Sequence, residues 1–283
     1  MRTLPLYGWL GLLLMIVSEA GVLKQLEPFW SWHTPIAWTG YILFVDALVW
    51  MRRGESWLRN KPSEFLFLTF MSVPLWLVFE MYNKFTIQNW YYVGLPETLL
   101  VRYVGYVWSF ATIWPAIFET GDLVSSFRDR RAPHYRADAI KHYKLGMAAQ
   151  VSVVVGALLL LMPIVFPSQY LAAPVFLGFI LLLDPLNARA GAESLATDWR
   201  EGHRGRLVNL LLAGVVCGVV WECWNYWAHT KWIYNVPILP SVKIFEMPIL
   251  GFGGFPPFAL ECFVMYVTVR RWLWRQAPRP IAV

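Results

Sequence analysis

The chain has 283 residues, of which 58% are hydrophobic and only 15% are charged. A soluble domain carries about 25% charged residues, so this composition excludes an ordinary soluble protein and indicates an integral membrane protein. The formal net charge is +6, but the basic residues lie in short clusters between hydrophobic segments, a pattern typical of membrane topology and not of nucleic-acid binding. We therefore expect a membrane lipid or hydrophobic small molecule as partner and no nucleic acid. The oligomeric state stays open.

Eight hydrophobic segments approach the roughly 20 residues that a helix needs to cross a bilayer. They cover residues 5–23, 34–51, 64–84, 103–124, 146–166, 170–187, 207–228 and 249–269. The first is expected to be a retained span, because no small-x-small cleavage site of a signal peptide precedes Lys24. The sequence thus predicts an all-α polytopic membrane protein with eight transmembrane helices.

Basic residues follow the second, fourth, sixth and eighth segments, whereas the alternate loops hold few or none. Because cytoplasmic loops carry the excess of Lys and Arg, this alternation predicts that both termini lie in the cytoplasm. We expect a multi-pass protein of a prokaryotic inner membrane.

Two similar stretches, FEMYNKFTIQNW and WECWNYWAHTKW, lie 142 residues apart and end at Trp90 and Trp232. At this offset the matching residues are Glu80 and Glu222, Asn83 and Asn225, Tyr92 and Tyr234, and Glu119 and Glu261. The matches fall largely on polar or rarer residue types, which indicates an internal duplication. It predicts a first four-helix repeat over 1–124, a cytoplasmic linker over 125–143 and a second four-helix repeat over 144–283. Since each half has an even number of spans, the repeats share one orientation and an axis along the membrane normal relates them.

Six carboxylates lie in or near the predicted hydrocarbon region. They are Asp46, Glu80 and Glu119 in the first half and Asp184, Glu222 and Glu261 in the second. Burying one charge there costs at least about 2.5 kcal/mol, and low dielectric favours the neutral acid, which can donate a proton. Asn83 and Asn225 follow Glu80 and Glu222 by three residues, so each pair shares a helix face. We predict Glu222, Asn225, Glu261, Glu80, Asn83 and Glu119 as catalytic residues.

Aromatic side chains crowd the ends of the third and seventh segments. Trp221 and Trp224 flank Glu222, and their π faces can stabilise a cation. We predict that the substrate is bound by Trp221, Trp224, Trp232, Trp90, Asp184 and Asp46. The five histidines are scattered and the three cysteines form no CxxC pair, so neither a metal nor a cofactor is expected.

The pattern of a repeated helical unit, an acid near a helix end and an outer Trp-x-Tyr resembles the duplicated membrane domains of the lycopene-cyclase type. The residues that carry the resemblance are Trp232 and Tyr234 followed by 245–248 (FEMP), with Trp90 and Tyr92 in the first half. The Pro-x-Glu-Glu signature of that family is absent, since Glu246 precedes Pro248 here. The resemblance implies cyclisation of an isoprenoid by protonation.

Three functions fit these observations. The first is a membrane-embedded enzyme, of a cyclase or isomerase type, which acts on a hydrophobic isoprenoid or lipid with a buried carboxylic acid as proton donor. The second is a secondary, proton-coupled transporter, in which the acids at three depths relay protons. The third is a structural subunit of a membrane complex, in which the acids only bind neighbouring helices.

Overall fold

A computed structural model describes residues 2–128 and 146–273, which are mostly helical. The helices before the gap are α1 Leu6–Leu23, α2 Phe29–Arg53, α3 Trp57–Asn60, α4 Pro62–Tyr82 and α5 Leu99–Arg128. The helices after it are α6 Met147–Val165, α7 Ala172–Arg189, α8 Leu195–Arg200, α9 Gly205–Trp227 and α10 Phe255–Leu273. A π turn, Asn83–Ile87, extends α4, and 3-10 turns, Gln169–Leu171 and Ile249–Gly254, precede α7 and α10.

Within these two ranges, seven helices are long and apolar enough to cross a membrane. They are α1, α2, α4, α6, α7, α9 and α10, of which α4, α7 and α10 are extended by their adjoining turns. The chain is therefore an integral, multi-pass membrane protein. The predicted span 103–124 lies inside α5, a 30-residue helix that is not among the seven and that includes four charged residues. Most of the predicted linker 125–143 falls outside the described residues, although its first four residues form the last turn of α5.

The outermost helices pack closely because glycines face each other. Gly11 on α1 meets Gly40 on α2, and a Cβ added at Gly11 would lie 2.5 Å from the Gly40 carbonyl oxygen. Gly156 on α6 meets Gly178 on α7 in the same manner. Glycine at such positions lets membrane helices approach to backbone contact.

The remaining long helices enclose the centre of the molecule. Helix α5 packs against α2, α4 and α9, and α10 packs against α7 and α9. Aromatic contacts also link the halves, among them those of Trp38 of α2 with Trp224 of α9 and of Phe79 of α4 with Phe176 of α7. Helices α5 and α10 thus supply much of the buried core.

Two short antiparallel sheets accompany a fold that is mostly helical, consistent with the all-α prediction. Strand β1 (Trp90–Val93) follows α4 and pairs with β2 (Lys231–Tyr234), which follows α9; Trp90 lies opposite Tyr234. We call this pair the ribbon. Strands β3 (Lys243–Ile244) and β4 (Met247–Pro248) form a small hairpin. The ribbon has no local signal in the sequence, because each strand finds its partner in the other half of the chain.

The opposite end of the helices is rich in arginine, and we call it the arginine end. Arg270 at the end of α10 pairs with Glu64 on α4 at 2.8 Å and with Glu193 at 2.8 Å. Arg206 at the start of α9 binds Glu193 and Asp198. Both arginines are buried, so these two charges serve internal ion pairs.

Candidate functional site

A cavity of about 640 Å³ lies between the halves at the ribbon end. Aromatic side chains form much of its wall, among them the six rings of Trp38, Trp76, Trp90, Trp221, Trp232 and Phe258. They come from α2, α4, α9, α10 and both strands of the ribbon, so neither half alone forms the wall. Its size and apolar character suit a hydrophobic ligand.

In the first half, three groups of the cavity wall converge on one carboxylate. Oε1 of Glu80 accepts hydrogen bonds from Trp76 Nε1 at 2.9 Å, Trp90 Nε1 at 3.1 Å and Tyr92 OH at 2.6 Å. Trp76 lies one helical turn before Glu80, and Trp90 and Tyr92 share a face of β1 because strand side chains alternate. All three donors line the cavity, and Glu80 stands behind them.

The second half has a related but sparser arrangement around Glu222. Its Oε1 accepts a hydrogen bond from Tyr234 OH at 2.6 Å, and Trp232 Nε1 donates to that hydroxyl at 2.7 Å. Gly218 stands four residues before Glu222, where the first half has Trp76, so no third donor is present there. Oε2 of Glu222 is buried and has no hydrogen-bond partner in the described part of the chain.

The two predicted asparagines bind backbone. Asn83 Nδ2 donates to the Trp90 carbonyl at 2.7 Å and its Oδ1 accepts from the Trp90 amide at 3.1 Å. Asn225 makes the same pair of bonds with Trp232, at 2.8 and 2.9 Å. Neither asparagine lines the cavity. Their role is to fix the first residue of β1 and the second residue of β2.

The other predicted acids also lie away from the cavity wall. Glu119 and Glu261 are fully buried, and no carboxylate oxygen of either has a hydrogen-bond partner in the described ranges. Asp46 accepts from the Leu58 amide at 3.0 Å and Asp184 from the Leu195 amide at 2.7 Å. Asp184 borders a separate cavity of about 290 Å³ near the arginine end. Both aspartates anchor the segment that follows their helix.

Of the predicted aromatic residues, Trp90, Trp221 and Trp232 line the cavity, whereas Trp224 packs against Trp38 and is not among the lining residues. The predicted site does not include Tyr92 and Tyr234, because an aromatic belt accounts for tyrosines just beyond a span. Their matching positions in the two halves were the signal that pointed to a shared role.

Both tyrosine hydroxyls keep their protons at neutral pH. Burial raises the pKa of Tyr92 and of Tyr234 well above the usual value, and the neighbouring carboxylates Glu80 and Glu222 raise each pKa further. A protonated hydroxyl in the cavity wall, bonded to a carboxyl group behind it, can pass a proton between that group and a bound molecule.

No protein-family model, curated protein or solved structure matches the chain. Within the described residues, no group of three or more His, Cys, Asp and Glu side chains is placed to hold a metal ion.

Proposed function

We propose that the chain is a membrane-embedded enzyme that protonates a carbon–carbon double bond of an isoprenoid or another unsaturated lipid. The observation that carries this proposal is the pairing of a carboxyl group with a tyrosine in the wall of an aromatic cavity. Buried Glu222 pairs with Tyr234, and half-buried Glu80 pairs with Tyr92. The lycopene-cyclase-type resemblance agrees with this chemistry.

In the proposed reaction, the Tyr234 hydroxyl turns from Glu222 towards the cavity, so that protonated Glu222 donates a hydrogen bond to the Tyr234 oxygen. The carboxyl proton of Glu222 then passes to that oxygen while the hydroxyl proton of Tyr234 adds to one alkene carbon. The adjacent carbon becomes a cation, and a second double bond of the substrate closes a ring by attacking it. Loss of a proton from a neighbouring carbon to the Tyr92 and Glu80 pair restores a double bond. The product is an isomer of the substrate, so no co-reactant is consumed. Each turnover moves one proton from Glu222 to Glu80, and proton exchange with water returns both carboxyl groups to their starting state.

The tryptophans of the wall suit such an intermediate. The electron-rich face of an indole attracts a cation, most strongly where water is excluded, and fixed groups need no reorganisation when the charge develops. Trp221 packs against Trp38, Trp76 and Trp232 with ring centroids 5.7 to 6.0 Å apart. This arrangement keeps the rings in place around the cavity.

The proposal includes eight spans arranged as two repeats of one orientation. In its support, Asn83 and Asn225 bind the same backbone atoms of equivalent residues. Asp46 accepts a hydrogen bond from the Leu58 amide, and Asp184 accepts one from the Ala196 amide. In both cases the amide lies 12 residues after the aspartate. The paired β1 and β2 strands run antiparallel, as strands related by a two-fold axis do.

The test uses purified protein in lipid nanodiscs, incubated in D₂O with geranylgeranyl lipids and with a membrane lipid extract. Protonation of a double bond places carbon-bound deuterium in the product, which mass spectrometry detects. Glu222→Gln keeps an acceptor for Tyr234 but removes the transferable proton. We expect it to lower deuterium incorporation by roughly 100-fold or more, as loss of a general acid does, with lipid binding unchanged.

Glu97→Gln is the matched control, because Glu97 is an exposed carboxylate near the ribbon, and it should keep full turnover. Equal deuterium incorporation by Glu222→Gln and the unaltered protein would refute the proposal. If no carbon-bound deuterium appears with the unaltered protein, and Glu222→Gln abolishes proton-coupled uptake in proteoliposomes, a transporter would be favoured.

A further inference from the structure

Two parts of the cavity wall differ in chemistry, and we call each of them an arm. One arm lies between α2 and α5, where Trp32 Nε1 donates to the Val101 carbonyl at 3.2 Å, and Ser31, Thr34 and Arg102 border it. We call it the polar arm. The other lies between the start of α7 and the turn before α10, where Ala172, Leu177, Leu250 and Gly254 border it. We call it the apolar arm.

The polar arm contains the guanidinium group of Arg102, whose Nη atoms can donate hydrogen bonds to a ligand. Arg102 Nε donates to the Pro96 carbonyl at 2.9 Å, and no carboxylate within the described ranges forms an ion pair with its guanidinium. The other charged residue of the cavity wall, Lys231, already pairs with Glu246 at 2.6 Å. Among the described residues, no Asp or Glu lines the wall. Thr34 Oγ1 is buried beside this arm and lacks a partner among the described residues.

The apolar arm is bordered by open space and by partly exposed apolar side chains. A Cβ added at Gly254 would have no atom within 4 Å. Leu177 and Leu250 border this arm and are 45% and 56% exposed. These residues leave room for an apolar chain in this arm.

We infer that the substrate is an amphipathic lipid with an oxyanion head group, phosphate or carboxylate, whose head binds Arg102 in the polar arm. Its unsaturated chain passes between the tryptophans and ends in the apolar arm. A guanidinium matches either oxyanion with two parallel hydrogen bonds, and the Thr34 hydroxyl adds a donor. This inference rests on the proposed function, since it places the chain's double bonds beside Tyr92 and Tyr234.

The test measures binding to nanodisc-embedded protein of geranylgeranyl phosphate, geranylgeranoic acid and the uncharged geranylgeraniol. We expect both anions to bind about tenfold more tightly than the alcohol, as one charge-assisted hydrogen-bonded pair allows. Arg102→Gln should abolish this difference and Arg102→Lys should keep part of it. Lys243→Gln, at an exposed cation of the same end, should leave the affinities unchanged.

A second variant tests the apolar arm independently of Arg102. Gly254→Phe fills the open space, so it should weaken binding of the C20 phosphate and spare that of the C10 analogue geranyl phosphate. Equal affinity for the alcohol and the anions overturns the inference, and so does inorganic phosphate that binds as tightly as the lipids. If deuterium incorporation still depends on Glu222 in that case, the proposed enzyme stands and only the head group is wrong.

Discussion

At the scale of single residues, the Glu-x-x-Asn pair binds a strand to the end of a helix. An amide side chain offers both a donor and an acceptor, and Asn225 uses both on the backbone of Trp232. Glu222, one turn earlier, binds the side chain of Tyr234. One helical turn therefore fixes both the backbone and a side chain of the strand that walls the cavity.

This role predicts the effect of removing the amide. Asn225→Ala leaves the Trp232 amide and carbonyl without their partner in a buried setting, which should lower the free energy of unfolding by roughly 1–3 kcal/mol. Denaturation in detergent, followed by tryptophan fluorescence, measures it. Asn235→Ala is the control, because Asn235 is exposed and donates one long bond, at 3.5 Å. Equal stability of the two variants would contradict the role assigned to Asn225.

The residue types in the sequence indicate the region of the site but not which side chains form its wall. Glu80 and Glu222 stand one hydrogen bond behind the cavity, close to where their depth and flanking aromatics suggested a pocket. That Tyr92 and Tyr234 form the wall depends on the alternation of β1 and β2. No sequence pattern shows that a four-residue aromatic run just beyond a span is a strand.

At the scale of elements, the long helices follow from apolar length alone. Four predicted segments, 5–23, 64–84, 146–166 and 207–228, agree within two residues with α1, α4, α6 and α9. The glycine- and proline-rich run 250–257 becomes a 3-10 turn, Ile249–Gly254, that leads into α10. Helix propensity cannot give the register of helix pairs, which depends on where two backbones touch.

The α6–α7 contact allows a sharp test of that register. A Cβ at Gly156 would lie 2.5 Å from the Leu182 nitrogen and 2.8 Å from the Gly178 oxygen, both backbone atoms that cannot rotate away. Gly156→Ala should therefore push the helices apart and cost roughly 1–3 kcal/mol of stability. Gly146→Ala, at the N-terminal cap of the same helix with nothing within 4 Å, should be neutral. Thermal denaturation of the two variants measures this difference, and equal thermal midpoints would contradict the close contact at Gly156.

At the scale of the whole molecule, the contacts that build the site are those that join the two halves. The ribbon pairs Val93 with Lys231, and Trp114 Nε1 of α5 donates to the Cys262 carbonyl of α10 at 2.8 Å. At the arginine end, Arg128 Nη1 donates to Asn209 Oδ1 at 3.0 Å. The repeat pattern in the sequence predicts that the halves resemble each other, but it contains no information on which surfaces meet.

These contacts predict that the halves assemble without a covalent link. If residues 1–136 and 137–283 are expressed together as separate chains, we expect them to copurify and to retain lipid binding, because each half leaves its side of the cavity and of the ribbon uncovered without the other. Tagging one half and measuring recovery of the untagged half by mass spectrometry gives the yield of complex.

The buried ion pair between Arg270 and Glu64 joins the two chains of this split protein, so it should contribute to the recovery of the complex. Arg270→Gln in the second chain leaves Glu64 of the first without its partner at 2.8 Å, and breaking a buried pair costs roughly 3–5 kcal/mol, so recovery should fall sharply. Arg271→Gln, at an exposed neighbour, should not change it. Recovery that is equal for both variants would show that the aromatic and ribbon contacts suffice, and halves that never copurify would refute the assembly itself.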